Sequence, residues 1–252
     1  HYDVWFRESG LHSSGYVEET VKMLADKGAT YEKEGALWLR STDFGCEKDD
    51  VLRRANGFYT YFAADIAYHR NKFEKRGFDR VINIWGADHH GHVHRLQSAL
   101  DALGLDGSHR LEIVLMQLVR MMQGGEVVRM SKRTGKSLTL SDLLDEIPVD
   151  AARYFFNSRA AETQMEFDLD LAVKQDSDNP LYYCQYAHAR ICSLLRKMEE
   201  EGVTVPEQAD LTVLSEEEEL ALVKQISLLP EEIIGAAADR DPSRLNKYAV
   251  AL

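Results

Sequence analysis

Residues 129–135 read Arg-Met-Ser-Lys-Arg-Thr-Gly, a lysine set among small and hydroxyl residues between a hairpin and a helix. A lysine on such a loop suits phosphate chemistry. Its ammonium can meet the charge that develops on departing phosphate oxygens, where stabilisation lowers a barrier most. An exposed basic turn would have the same composition. The ending Gly135-Lys136-Ser137 looks like a P-loop, but the glycine that motif requires earlier would fall at position 130, which is Met130.

A second candidate is the run Gly86-Ala87-Asp88-His89-His90-Gly91-His92-Val93-His94, at the C-terminal end of a predicted buried strand. Open α/β sheets bind ligands there. Its histidines could hold a metal, yet His90 and His94 lie one helical turn apart while His89 and His92 point elsewhere. Polar contacts to a substrate fit better than a metal site. Tyr61 and Asp65 are spaced i, i+4 and share a helix face. A carboxylate beside a ring suits a guanidinium, through two parallel hydrogen bonds and a π-face contact, although such pairs also occur as plain packing. Residues 181–190 gather Tyr182, Tyr183, Tyr186, His188 and Arg190 within three helical turns. Tyrosine and arginine stack on unpaired bases, and rings of this kind also pack bundles.

The elements that must carry these residues follow from periodicity. Val17, Val21 and Leu24 mark a helix over 15–27 ended by Gly28, and a short strand spans 36–40. Asn56-Gly57 signals a turn, and 59–75 is helical by pattern. Residues 81–85 form an apolar strand, 92–103 a helix closed by Gly104, and 111–116 another strand. That is the rhythm of a doubly wound α/β domain. A hairpin over 119–130 turns at Gly124-Gly125. After about residue 140 strand signals vanish. Ser141-Asp142, Pro148, Asn179-Pro180, Ser215-Glu218, Pro230 and Asp241-Pro242 each start a helix. The expectation is an α/β part over 1–170 and an all-helical part over 171–252.

Hydrophobic residues make up 44% and charged residues 29%, a globular balance. No apolar run reaches the ~18 residues that span a bilayer, and no signal peptide is visible. Cys46, Cys184 and Cys192 are too scattered for a disulfide framework, which implies reduced thiols and a cytoplasmic setting. The net charge of −12 is unlike a dedicated nucleic-acid module, but it leaves room for local basic strips.

In this order, the segments resemble class I aminoacyl-tRNA synthetases, and among them the bacterial-type arginyl-tRNA synthetases. Met130-Ser131-Lys132-Arg133 is similar to the KMSKS element, with Arg129 at its first lysine position and Arg133 at its last serine position. Those departures shift weight onto Lys132. Residues 86–92 match the family's GADHHGH block, and 61–68 match the segment whose tyrosine and aspartate hold the substrate guanidinium. Residues 179–190 resemble the opening of the helical anticodon-binding domain. The fold implied is the C-terminal half of a Rossmann-like catalytic domain, then an incomplete anticodon-binding bundle. The HIGH motif, the tRNA-elbow domain and the closing helices are not found, and the chain starts at His1. The expectation is a fragment, inactive alone.

The resemblance implies an enzyme that activates arginine with ATP and Mg²⁺ and transfers it to tRNA(Arg). Lys132, with Arg129 and Arg133, would serve the pyrophosphate side, and Met130, Ser131, Lys132 and Asp88 would bind ATP. Tyr61, Asp65 and His89 would bind arginine, with Asp88 and His89 lining the amino-acid or ribose pocket, and Tyr182, Tyr186 and Arg190 would touch tRNA. No tightly bound metal, no membrane and a monomer are expected. The rivals are another class I synthetase, against which the Tyr61/Asp65 pair speaks, a metal hydrolase built on His89–His94, and a non-catalytic tRNA-binding adaptor.

Overall fold

The computed structural model describes residues 2–128, 139–204 and 206–252. The chain forms two compact units, 1–116 and 117–252. The first begins with helices α1 (Ser9–Ser13) and α2 (Tyr16–Asp26). Val17, Val21 and Leu24 of α2 are buried, the stripe its periodicity predicts, and Gly28 ends it at φ +75°. Strands β1 (Thr30–Lys33), β2 (Ala36–Leu39) and β3 (Asp50–Arg53) then form an antiparallel sheet in that order. β1 and β3 are additions to the sequence reading. Lys33 of β1 pairs with Ala36 of β2 across a tight turn in which Glu34 and Gly35 both take positive φ, the conformation two-residue hairpins favour.

Helix α3 (Tyr61–Arg70) is capped by Thr60. The Thr60 hydroxyl accepts from the Ala63 amide at 3.3 Å and donates to the Val51 carbonyl at 2.8 Å, so one side chain both starts the helix and fastens it to the sheet. Beyond Arg70 the helix widens into a π turn, Asn71–Lys75. Strand β4 (Val81–Gly86), helix α4 (His90–Leu103), the short α5 (Gly107–Arg110) and strand β5 (Leu111–Met116) complete the unit. β4 and β5 pair in parallel through six residues each, as a strand–helix–strand crossover requires.

The second unit opens with the hairpin β6 (Val119–Gln123) and β7 (Glu126–Val127). The reading that strand signals vanish after about residue 140 needs correction. A further strand, β8 (Met165–Asp168), runs parallel to β6. Its four residues alternate buried and exposed, a pattern too short to stand out between helices. Helices α6 (Leu140–Glu146), α7 (Val149–Phe156) and α8 (Leu169–Val173) pack around Phe167, which touches Phe155 and Phe156 at ring separations of 5.6 and 4.9 Å. The cap of α6 is Thr139, whose hydroxyl accepts from the Asp142 amide while the Asp142 carboxylate accepts from Thr139. The cap thus lies two residues before the expected Ser141. Helix α9 (Pro180–Glu200) starts where Asn179 accepts from the Leu181 amide at 3.0 Å. Helices α10 (Glu217–Ser227), α11 (Leu229–Asp239) and α12 (Ser243–Ala251) follow. The capping box of α10 is Glu216 with Glu219, one residue later than its sequence signal.

Arg70 is the buried cation that joins α2 to α3. Its guanidinium donates to Glu19 at 2.8 Å, Glu74 at 2.7 Å and Thr20 at 3.1 Å, and lies 4.5 Å from the centre of the Tyr16 ring. Only the arginine is buried, at 6% exposure against 57% for Glu19 and 34% for Glu74. Replacing it costs the bond to Thr20 and the contact with Tyr16 while the two carboxylates stay hydrated. Arg70→Ala is expected to lower unfolding free energy by about 1–2 kcal/mol, the scale of its buried hydrogen bond and packing with the solvated ion pairs adding little, read from urea denaturation. A loss under about 0.5 kcal/mol, the size typical of a plain surface change, would show that the cluster is solvated rather than structural.

Candidate active site

Three elements of the first unit meet at Asp65. Helix α3 supplies Asp65 itself, β4 supplies Trp85, and α4 supplies His92. The His92 imidazole donates from Nε2 to Asp65 Oδ2 at 3.0 Å. Because a carboxylate only accepts, this bond places a ring proton on Nε2. The ring stands edge-on to Phe62, 5.5 Å between centroids, and tilted against Trp85 at 5.4 Å. The Asp65 side chain is 37% exposed and that of His92 18%, so the carboxylate opens to solvent while its donor sits in an aromatic slot. Among the described residues, Asp65 Oδ1 has no hydrogen-bond partner. Oδ1 is therefore available to an incoming cation.

Tyr61 shares the helix face with Asp65 but is 87% exposed. It borders a cleft of about 230 Å³ with Glu8, His12, Arg54, Tyr59 and Thr60. Asp65 is not part of that lining. Helical spacing thus places the ring and the acid on one face, but only the acid is held by neighbours.

The backbone of Asp65 is fastened separately, by residues that sequence reasoning missed. His69, one turn on, donates from Nδ1 to the Asp65 carbonyl at 2.7 Å. Its Nε2 accepts from the Asn83 amide of β4 at 2.8 Å. The Lys72 ammonium donates to Asn83 Oδ1 at 3.2 Å and lies 4.3 Å from the centre of the Tyr68 ring. Burial, aided by the Lys72 charge, pushes His69 down to about 4. Burial, aided by Arg76, pushes Lys72 down to about 8. A neutral ring is also what the hydrogen bonds need, one nitrogen donating and the other accepting. One signal was available in the sequence: Asn83 interrupts the apolar run Val81-Ile82-Asn83-Ile84-Trp85, and a buried polar residue needs a partner.

Asp88 and His89 lie on a single 3-10 turn, Ala87–His89, beyond the end of β4. Both are exposed, with Asp88 Oδ2 3.7 Å from His89 Nε2, and His89 lies 6.0 Å from the Trp85 ring. Gly86 matters here. A Cβ at that position would stand 2.5 Å from Asp88 Oδ1, so any side chain there would turn the carboxylate away. His94 donates instead toward the Gly45 carbonyl at 3.1 Å. The histidines of this run diverge, and among the described residues no three His, Cys, Asp or Glu side chains converge as a metal site. Lys132, Arg129, Arg133, Met130 and Ser131 lie outside the described residues.

In the second unit, the Tyr182 and Tyr186 rings of α9 stack at 6.4 Å and 15°, and the Arg190 guanidinium lies 5.7 Å from the centre of the Tyr186 ring. Arg190 therefore continues the Tyr182–Tyr186 stripe, at i+4 from Tyr186. No residue of α9 is fully buried. Ser177, Tyr182, Tyr183 and Tyr186 line a hollow of about 310 Å³, wide enough for a planar group.

The His69 geometry has a pH signature. The folded ring binds a proton only near pH 4, whereas an unfolded histidine binds one near 6.5. Between those values the unfolded state holds more protons, so stability contributed at this site is complete above pH 6.5 and falls as pH drops toward 4. Ring-nitrogen NMR shifts are expected to show a neutral, Nδ1-protonated His69 down to about pH 5. Titration near 6.5 would contradict the buried network.

Two family models match the chain. "tRNA synthetases class I (R), catalytic domain" covers residues 2–174, and "DALR anticodon binding domain" covers 184–252. An arginine–tRNA ligase of Caldanaerobacter subterraneus is 57% identical over 251 residues, which is 99% of this chain and 44% of that protein. One from Desulfitobacterium hafniense is 58% identical over 255 residues, 100% and 45% of the two chains. The chain thus spans a little under half the length of these curated relatives. A crystal structure described as an arginyl-tRNA synthetase of Campylobacter jejuni superposes with TM-score 0.88 at 36% identity, covering all of this chain and 54% of that one. Thermus thermophilus arginyl-tRNA synthetase superposes at 0.75 with 19% identity over 94% and 48% of the two chains, a likeness that speaks to the fold alone.

Proposed function

The chain belongs to the arginine-type class I tRNA synthetase family, and on that premise we propose that it supplies the guanidinium-holding and pyrophosphate-side parts of an enzyme that charges tRNA(Arg). The observation that carries this reading is the Asp65 carboxylate. It is half-open, oriented by His92, and fastened through its own carbonyl to β4. In the first step an arginine carboxylate oxygen attacks the α-phosphorus of ATP, supplied with Mg²⁺. The bond to the β-phosphate breaks and pyrophosphate leaves. In the second step a hydroxyl of the tRNA 3′-terminal ribose takes the arginyl group and AMP departs.

Little of this chemistry is covalent work for the protein, so placement and charge stabilisation dominate. Asp65 and Tyr61 hold the guanidinium, and Asp88 and His89 line the amino-acid or ribose pocket. Lys132, with Arg129 and Arg133, steadies the pyrophosphate side, while Met130, Ser131 and Asp88 contact ATP. Tyr182, Tyr186 and Arg190 offer stacking surfaces to tRNA bases. Residues 1–170 are read as catalytic and 171–252 as anticodon-binding, a division supported by matched ranges of 2–174 and 184–252. Among the described residues no helix is long and apolar enough to cross a membrane. A cytoplasmic monomer without tightly bound metal completes the proposal.

Arginine-dependent ATP–pyrophosphate exchange is the deciding assay. It should be run on this chain and on a version extended upstream through the HIGH motif that the resemblance implies. Silence from this chain beside activity of the longer version is expected. In the active version Asp65→Ala should raise the arginine KM by about a hundredfold, as losing a charged partner implies, with the ATP KM little changed. An unaltered arginine KM would remove Asp65 from the pocket. Lys132→Ala should instead lower kcat by about a hundredfold at nearly constant arginine affinity, and a normal kcat would rule out its role. tRNA binding with no exchange activity in either form would favour the adaptor.

A further inference from the structure

A carboxylate reached through a short side chain turns readily about its last bond, because the terminal torsion of aspartate is broad and nearly two-fold. At Asp65 that freedom is removed. His92 Nε2 donates to Oδ2 at 3.0 Å, and the imidazole cannot follow a turning carboxylate because Phe62 and Trp85 hold it on two sides. The slot is itself braced. The Arg95 guanidinium, one turn along α4, lies 4.7 Å from the Phe62 ring centre, and its Nη2 is 2.6 Å from the buried carboxylate of Asp50. Ser41 donates to that same Asp50 at 2.9 Å. Phe62 is thus held between α4 and the β3 end of the sheet, and His92 inherits a fixed orientation.

We infer that His92 is a positioning residue that sets the plane of the Asp65 carboxylate and thereby makes the site selective for forked, guanidinium-type cations over ammonium. The inference rests on Asp65 being the guanidinium anchor. A carboxylate offers about four lone-pair directions, and His92 occupies one of those on Oδ2. The remaining direction on Oδ2 and those on Oδ1 face a ligand from a fixed plane. A guanidinium needs that plane, because its two parallel N–H groups must meet both oxygens at once. An ammonium is a point charge and is indifferent to the carboxylate's rotation. Removing the His92 donor should therefore weaken guanidinium ligands much more than amines. A residue serving only to pack the slot would affect neither selectivity nor KM once its volume was replaced.

Two substitutions separate the hydrogen bond from the packing. His92→Phe keeps an aromatic ring between Phe62 and Trp85 but has no donor, and His92→Gln keeps an N–H donor but no ring. Both are to be made in the exchange-active, upstream-extended protein, beside Asp65→Ala. For His92→Phe, the arginine KM is expected to rise about tenfold, the scale of one hydrogen bond to a charged group. The ATP KM and the inhibition constant of L-lysine should stay within about twofold. His92→Gln should restore most of the arginine KM. On an Asp65→Ala background, His92→Phe should add less than about a further twofold, since the two residues act as one unit.

A wild-type arginine KM in His92→Phe overturns the inference, and so does His92→Gln as impaired as His92→Phe. An undiminished effect on the Asp65→Ala background overturns it as well, by showing that His92 acts elsewhere. If His92→Phe fails to fold, His92→Met provides a second donor-free variant under the same criteria. An arginine KM unchanged by Asp65→Ala alone is a different result. It removes the anchor on which the inference stands, and it is recognisable because it appears before any His92 variant is considered.

Discussion

Asn83 is the polar residue in the middle of an otherwise apolar strand, and its burial forces a choice on everything around it. An amide left without partners in that position would cost about 1–3 kcal/mol. It is satisfied by His69 and Lys72 of the neighbouring helical segment, and this ties β4 to α3. The tie works only while His69 is uncharged, and burial keeps it so. His69 in turn holds the carbonyl of Asp65. A single buried amide thus fixes the height and rotation of the helix that presents the acid. His92 then fixes the acid's own plane from the far side. The backbone and the carboxylate of Asp65 are held by different elements, and neither bond substitutes for the other.

The second unit uses the same economy with different parts. Asn179 is buried and satisfied, accepting from the first amides of α9 and donating to the Lys174 carbonyl at 2.8 Å. It thereby decides where a helix of twenty-one residues begins. Once the start is set, Tyr182, Tyr186 and Arg190 fall at intervals of four and stack in succession. Phe167 on β8 anchors the layer beneath, packed by two phenylalanines of α7. Here aromatic packing supplies the rigidity that hydrogen bonds supply around Asp65.

A forked carboxylate site gains its selectivity from direction, not from charge. Lysine and arginine carry the same formal charge and similar stems, so Coulomb attraction alone would rank them closely. What separates them is whether two acceptors lie in one plane at a fixed angle. On the proposed assignment of Asp65, that angle would be set by the aromatic slot and the helix pair, and it would be lost if any wall of the slot moved. Gly86 shows the same logic on the neighbouring turn, where the absence of a Cβ leaves room for the Asp88 carboxylate.

Much of this was legible in the residues themselves. The stripe of Val17, Val21 and Leu24, the turn at Asn56-Gly57, the strands over 81–85 and 111–116 and the helices started by Asn179-Pro180 and Pro230 follow from local periodicity and capping, which depend on neighbours in the chain. The family was legible in another way, as a resemblance carried by the ordered motifs together. β1, β3 and β8 were missed because a four-residue strand is defined by its partner, and the partner lies far away or across a turn. The Asp65–His92 bond joins residues 27 apart and the His69–Asn83 bond residues 14 apart, so no local pattern encodes either. The sequence by itself determined which residues could do chemistry and on which helix each stands. Only the tertiary structure decided that His92 faces Asp65 while His94 turns to a loop carbonyl and that His69 is buried and neutral, because packing settles which side of a helix meets which strand.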